Sequence, residues 1–194
     1  DCYKRALDIE TELGDRMAEI LCLNDIGNVY LTQGRIDDAQ VYIERALDVR
    51  KNIGEKKGVG ISLNCLGTIA RLRGQYERAL AKHLEALELF RETKWRTGEA
   101  ETLVCMAFVM AGRGRFTAAL ESLEEASAVY AEMSDRSGLA VVSTALADVE
   151  CSLGTCERAI ERVDRALDEA EKLGNSELVA AALLTRGRLK RLTG

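Results

Sequence analysis

The stretch that decides the fold is residues 21–53, LCLNDIGNVYLTQGRIDDAQVYIERALDVRKNI. It predicts two amphipathic helices joined by a turn at Gly34, because apolar residues recur at helical spacing on both sides of that glycine. The same pattern returns around Gly74, and again around Gly114 and Gly154. Repetition at a fixed period of this size predicts an array of helical hairpins.

Small residues keep the repeat in phase along the chain. They mark the turn, one position in the first helix and two positions on one face of the second helix. The members are Gly34, Gly74, Gly114, Gly154 and Gly194 at the turn; Gly27, Gly67, Ala107, Ala147 and Gly187 in the first helix; and Ala39, Ala79, Ala119 and Ala159 with Ala6, Ala46, Ala86, Ala126 and Ala166 in the second helix. A turn glycine suits the left-handed conformation that ends a helix. Glycine inside a helix costs about 1 kcal/mol against alanine, so its recurrence predicts close approach of a second helix.

These positions resemble the tetratricopeptide repeat (TPR) family, whose pattern has Leu-Gly and an aromatic residue in the first helix, then Gly, Ala, an aromatic residue and Ala. The equivalents here are Ile26, Gly27, Tyr30, Gly34, Ala39, Ile43 and Ala46. The period of about 40 residues departs from the usual length of about 34, and the chain has no proline. We expect the added residues to lengthen the second helix and the loop after it. The loops at 13–19, 133–139 and 173–179 look like those of the 40-residue subtype found in the LGN/Pins adaptors and in bacterial TPR regulators.

The resemblance implies an all-α fold: a right-handed α-solenoid of antiparallel helix hairpins, with about ten helices. The repeat phase divides the chain into a half repeat at 1–14, complete repeats at 15–54, 55–94, 95–134 and 135–174, and a half repeat at 175–194. First (A) helices are expected near 16–33, 57–73, 96–113, 136–153 and 176–193, and second (B) helices near 2–13, 36–53, 76–93, 116–133 and 156–173. Both ends are out of phase with the repeat, so we expect a fragment of a longer single solenoid. Leu183, Leu184, Leu189 and Leu192 are expected to be exposed, which favours head-to-tail self-association.

Composition, charge and the lack of known motifs argue against several classes of partner and of chemistry. A formal net charge of −5 argues against nucleic acid as a partner. No apolar run approaches the ~20 residues of a membrane span, and no signal peptide is visible, so we expect a cytoplasmic protein without a membrane partner. Phosphate loops, zinc spacings and nucleophile elbows are missing from the sequence, which predicts no enzyme, no cofactor and no metal. The six cysteines fit no redox motif. Free thiols are therefore the favoured prediction, with an oxidised or metal-bound pair as the alternative.

In TPR solenoids the A helices line a concave wall, so the repeat phase places the inward side chains. In the second half of the chain these are Glu101, Val104, Cys105, Phe108, Ala111, Val141, Thr144, Ala145, Asp148, Cys151, Ala181, Leu184, Thr185, Arg188 and Arg191. The candidate peptide-binding residues of the whole chain are Asn24, Asn28, Asn64, Thr68, Arg71, Phe108 and Arg188. An asparagine amide can both donate to and accept from a peptide backbone, and arginine can hold a carboxylate with two parallel hydrogen bonds. The alternative is that the asparagines are solvated polar positions and Phe108 is an ordinary core residue.

Two residues that occur once each have structural interpretations. His83 falls where Ile43 and Leu123 stand in other repeats, so we expect it in the core. Trp95 lies in a loop between repeats, where packing on the preceding helix is favoured over contact with a partner.

The leading function is a protein-interaction scaffold that binds a peptide or a partner helix in its groove. The alternatives are a ligand-sensing segment of a larger bacterial signalling or transcription protein, and a self-assembly segment.

Overall fold

The computed structural model describes residues 2–193, and within them the chain forms ten α-helices and no strand. They are α1 (Cys2–Leu13), α2 (Arg16–Thr32), α3 (Ile36–Asn52), α4 (Lys56–Leu72), α5 (Tyr76–Glu92), α6 (Arg96–Gly112), α7 (Phe116–Glu132), α8 (Arg136–Ser152), α9 (Cys156–Lys172) and α10 (Ser176–Thr193). Each predicted boundary lies within one residue of the observed one. The all-α prediction of antiparallel hairpins is confirmed. Gly194, the last predicted turn glycine, lies outside the described residues.

All connections from α2 onward share one geometry. Helices α2 to α9 are equally long, and three residues join each helix to the next. The middle residue of the connection has a positive φ after an A helix, as at Gly34 (71°), and after a B helix, as at Gly54 (72°). Lys94 and Ser134 adopt the same conformation without being glycine. A and B helices and their connections therefore have the same lengths, and the expectation that the added residues lengthen the B helix and the loop after it stays a prediction.

The A helices α2 and α8 start with side-chain caps that the B helices lack. The Asp15 carboxylate accepts hydrogen bonds from the backbone N–H groups of Met17 and Ala18, at 3.1 and 3.0 Å. Asp135 caps α8 in the same way through the N–H of Gly138. Such a cap satisfies donors that the first turn leaves without a partner, and contributes about 1 kcal/mol. The B helices α3, α5, α7 and α9 have no such side-chain bond.

The chain divides into two compact units, Asp1–Trp95 and Arg96–Gly194. In the first unit, Ala39 and Ala79 of the B helices are completely buried. A Cβ added at Gly27 would lie 3.0 Å from Ile43 on the partner helix, so the glycine is what allows the two backbones to approach. The prediction of close A–B contact at this position is confirmed.

The second unit has a core built in the same way from α6 to α10. Ala119, Ala159 and Val163 are completely buried. Leu189 also belongs to this core, with 1% of its surface exposed, so the prediction that it is exposed is wrong. It packs with the residues of α8 and α9 that form the hairpin interface. The other leucines of the predicted apolar strip, Leu183, Leu184 and Leu192, are exposed.

Ion pairs close the open ends of the hairpins. The first residue of an A helix pairs with an acidic residue in the last turn of the B helix that follows. The pairs are Lys56–Glu92 in the first unit, with Arg96–Glu132 and Arg136–Glu169 in the second. Their side chains are exposed or half-buried, so screening by solvent leaves each pair with little effect on stability. Most of the stability therefore comes from the buried alanine and leucine contacts. No helix in the described part of the chain has the length and apolar character needed to cross a bilayer.

Candidate functional site

A groove of about 900 Å³ lies along three neighbouring A helices of the second unit, α6, α8 and α10. Every inward position predicted for α8 and α10 lines it, as do Phe108 and Ala111 of α6. Phe108 is 41% exposed and Leu184 and Leu192 are each 72% exposed, although all three are large apolar side chains. Exposure of this much apolar surface in one concave site is typical of a binding site.

One charged pair stands among the apolar side chains of the groove. Arg188 Nη2 donates to Asp148 Oδ2 at 2.6 Å and to Thr185 Oγ1 at 3.1 Å. Burial raises the pKa of the Asp148 carboxyl, although Arg188 beside it acts in the opposite direction. The guanidinium of Arg188 itself remains exposed. The groove therefore combines apolar anchoring points with one oriented cation, which can bind a carboxylate or a carbonyl oxygen of a ligand.

The other five predicted site residues lie on A helices of the first unit. Asn24 and Asn28 are on α2, half-buried and exposed respectively, and Thr68 and Arg71 are half-buried on α4. Asn64, also on α4, has its amide oxygen 2.6 Å from Nδ1 of a buried histidine. The amino group of Asn64 takes no part in this contact. Peptide binding by all seven residues stays a prediction.

The buried histidine, His83, is a core residue, as predicted. None of its surface is exposed, and burial lowers its pKa to about 4, with Arg71 as a second cause. Because the Asn64 oxygen can only accept, Nδ1 carries the proton and Nε2 is left buried without a hydrogen-bond partner. A Cβ at Gly67 would lie 2.6 Å from the ring. His83 takes the place that Ile43 occupies opposite Gly27.

Trp95 packs on the preceding helix, as predicted. Its ring meets Phe90 of α5 edge to face, with centroids 4.7 Å apart. Lys57 Nζ lies 4.3 Å from the Trp95 ring centroid, a cation–π distance. These contacts fix the loop at the end of the first unit and leave Trp95 half-buried.

Cys151 and Cys156 form a disulfide, with their Cα atoms 4.2 Å apart. The prediction of free thiols is therefore wrong for this pair, whereas Cys2, Cys22, Cys65 and Cys105 take part in no disulfide among the described residues. Cys151 lies at the end of α8 and Cys156 begins α9, so the three-residue bend itself brings the two sulfur atoms together. Cys151 is buried and lines the groove, which places the crosslink at one wall of the candidate site.

The tetratricopeptide repeat family model matches residues 1–52 and 58–132. That is more than half of the chain. The chain belongs to the tetratricopeptide repeat family. The TPR repeats correspond to the helical hairpins described above. Their alanines are buried between helices and their glycines lie at the turns. None of the curated proteins compared matches this TPR chain.

Several solved structures have similar folds. BtubC (BKLC) from P. vanneervenii matches with a TM-score of 0.73 and 23% identity, over 89% of this chain and 72% of BtubC. Aspartyl phosphate phosphatase F from Bacillus subtilis matches with a TM-score of 0.83 and 15% identity, over 98% of this chain and 51% of that protein. A STAND protein with a tetratricopeptide repeat sensor from Pyrococcus horikoshii has a TM-score of 0.72 and 14% identity, over 88% of this chain and 27% of that protein. The TPR chain thus spans about half of the phosphatase and about a quarter of the STAND protein.

Proposed function

We propose that this TPR chain is a non-catalytic protein-interaction module that holds a peptide or a partner helix in the groove of α6, α8 and α10. The observation that carries the proposal is the exposure of Phe108, Leu184 and Leu192 in one concave site beside the Asp148–Arg188 pair. Apolar side chains of a ligand would bury these residues, and a polar group of the ligand would meet Arg188. Few convergent polar groups among apolar ones give orientation as well as affinity.

The first unit supplies further proposed contacts along its A helices. Asn24, Asn28 and Thr68 are proposed to bond the backbone of a ligand, and Arg71 to hold a carboxylate. Asn64 is proposed to contribute its amino group, since its oxygen already accepts from His83. What supports this set is the position of all five residues on A helices.

A peptide-display selection with the whole chain as bait tests the proposal. We expect selected peptides to lose at least about tenfold in affinity for Phe108→Glu and for Leu184→Glu, since each change places a charge in the apolar part of the groove. Leu84→Glu is the matched control, because Leu84 is 48% exposed on the B helix α5, outside the groove. Equal binding to all three variants, or a selection without enriched peptides, would refute the assignment.

A second candidate is a ligand-sensing segment of a larger bacterial signalling or transcription protein. The supporting observation is that this TPR chain resembles a STAND protein with a tetratricopeptide repeat sensor and covers only 27% of it. The 40-residue period supports membership of the subtype with LGN/Pins adaptors and bacterial regulators, and we keep the cytoplasmic location as a proposal. The sequence of the gene on both sides of this segment tests the regulatory role. An output domain encoded next to this segment would favour the regulatory role. A gene that encodes no output domain would exclude it.

Self-association remains a third proposal. Leu183 of α10 is 48% exposed, and a Cβ added at Gly187 would meet nothing within 4 Å, whereas the equivalent Gly27 packs against a B helix. A helix from a second copy can cover this face. Sedimentation velocity over a wide concentration range tests the idea with Leu183→Lys as the variant, and a monomer at every concentration would exclude it.

A further inference from the structure

A cavity of about 200 Å³ in the second unit is lined by Ser143 of α8 and by Arg158, Arg162 and Arg165 of α9. The three arginines are spaced by four and three residues, so they share one face of the helix. The cavity adjoins a larger one of about 520 Å³ between α7, α8 and α9, which Arg158 and Arg162 also line. Neither cavity shares a lining residue with the groove of α6, α8 and α10.

The three arginines differ in how they are held. Arg162 is fixed by Glu150, with Nη2–Oε1 at 2.8 Å and Nε–Oε2 at 3.1 Å, and the Glu150 side chain is only 12% exposed. Arg165 is 81% exposed and reaches Glu161 only at 3.9 Å. Arg158 is exposed and makes no ion pair among the described residues. One oriented guanidinium and two loosely held ones therefore face the same small cavity.

Carboxylates do not balance the cationic charge at this cavity. Glu150 is already engaged by Arg162, and Glu124 of α7 lines only the adjoining cavity. The loose contact of Arg165 with Glu161 contributes little, because exposed ion pairs at such distances are weak. An anion entering the cavity would thus meet two guanidinium groups without having to displace a strong partner.

The first unit provides an internal comparison, because its α3, α4 and α5 are the repeat equivalents of α7, α8 and α9. There Leu63 stands in place of Ser143 and is buried. Glu85 stands in place of Arg165 and pairs with Lys82 Nζ at 2.7 Å. The cavity beside Arg78 and Lys82 has about 20 Å³, and most of its lining residues are the repeat equivalents of those around the adjoining cavity of about 520 Å³. The second unit therefore differs from its own repeat in having a larger adjoining cavity, a hydroxyl in place of a leucine side chain, and a cation in place of an anion.

We propose that Ser143, Arg158, Arg162 and Arg165 bind a phosphate group, carried by a phosphorylated side chain or present as free inorganic phosphate. The planar guanidinium matches phosphate oxygens with two parallel hydrogen bonds, which makes arginine well suited to this group. Arg158 and Arg165 supply those donors, while the Glu150 pair keeps Arg162 in place beside them. The hydroxyl of Ser143 can donate to a further oxygen.

A titration of the whole chain tests this site. The added compounds are inorganic phosphate, phosphoserine and serine, and binding is monitored at fixed ionic strength by NMR of the arginine Nε–H groups. We expect saturable binding of the two phosphate compounds and none of serine. Arg165→Glu, which introduces the residue of the first unit, should weaken it by at least about tenfold. Ser143→Leu should weaken binding by filling the cavity, and circular dichroism checks that both variants remain helical.

Arg45→Glu is the matched control. Arg45 is exposed and is the repeat equivalent of Arg165, but Asp38 and Tyr42 stand where Arg158 and Arg162 stand in α9. The substitution changes the net charge equally and should leave binding unchanged. Absence of saturation in the millimolar range, or equal weakening by Arg45→Glu and Arg165→Glu, would overturn the proposal. Tighter binding of phosphoserine than of inorganic phosphate would identify a phosphorylated partner as the source, and the reverse would identify the free ion.

Discussion

Replacing His83 by leucine should remove a pH-dependent part of the stability. The imidazole is fully buried and its pKa is lowered to about 4, first by burial and then by Arg71. In the unfolded chain the ring has its ordinary pKa of about 6.5. The unfolded state therefore binds the proton first as the pH falls. The stabilisation is complete above pH 6.5, is lost progressively towards pH 4 and stays constant below that.

The size of the effect follows from the two pKa values. A difference of about 2.5 pH units at about 1.36 kcal/mol per unit gives about 3 kcal/mol for the whole interval. Between pH 7.5 and pH 5.0, the part attributable to His83 is about 2 kcal/mol, because the loss begins only below pH 6.5. Leucine is the appropriate replacement because Leu123 occupies this position, completely buried, in another repeat.

Urea unfolding at pH 7.5 and at pH 5.0 measures the effect in the natural chain and in His83→Leu. Carboxylates that titrate in this range are common to both proteins and cancel in the comparison. We expect the natural chain to lose about 2 kcal/mol more than the variant. Since the sequence has one histidine, its NMR signal also reports the pKa directly. Equal losses in the two proteins, or titration of the folded ring near pH 6.5, would refute the argument.

Three further changes have defined outcomes. Gly67→Ala should destabilise the fold by more than about 1 kcal/mol in urea unfolding, since the new Cβ would lie 2.6 Å from the histidine ring. Gly187→Ala is the control. Its new Cβ would have nothing within 4 Å, so this change should stabilise the helix by up to about 1 kcal/mol. Lys94→Gly should raise the thermal midpoint, because φ is 54° there and glycine removes a strain of about 1 kcal/mol. Reduction should lower the free energy of unfolding by about 2 kcal/mol through the loss of the Cys151–Cys156 crosslink, and thiol counting on the unreduced chain should find four groups.

The turns and the hairpin seams could be predicted from the sequence because each rests on one residue type. The position of Gly34 requires a positive φ, and the position of Ala39 has no room for a large side chain. Both positions therefore hold the same residue type at regular intervals in the sequence. The ladder Gly58, Gly98 and Gly138 is equally periodic and buried, but the TPR pattern does not contain it. At Gly138 the reason is visible only in three dimensions, where a Cβ would lie 2.2 Å from Tyr130.

The candidate site could be predicted in position but not in chemistry. Repeat phase placed Phe108 and Arg188 on A helices, and both line the groove. It could not show that the Asn64 oxygen accepts from a buried histidine, because that depends on a residue in another helix. The Cys151–Cys156 bond was hidden for a similar reason. Cysteines at this separation meet only if the bend between them is tight, and the sequence letters alone do not fix how tightly the chain turns there.

The identical three-residue bend after both kinds of helix has an evolutionary consequence. A duplicated gene segment encoding one whole repeat can be inserted at any bend, and the new joints need no loop that the molecule does not already use. Insertion of a single helix with its bend would also use connections that the molecule already has. It would, however, pack an A helix against another A helix, so that two glycines would face each other where one side must carry a bulky side chain. Lengthening of this protein is therefore expected in whole hairpins, wherever along the chain the duplication begins.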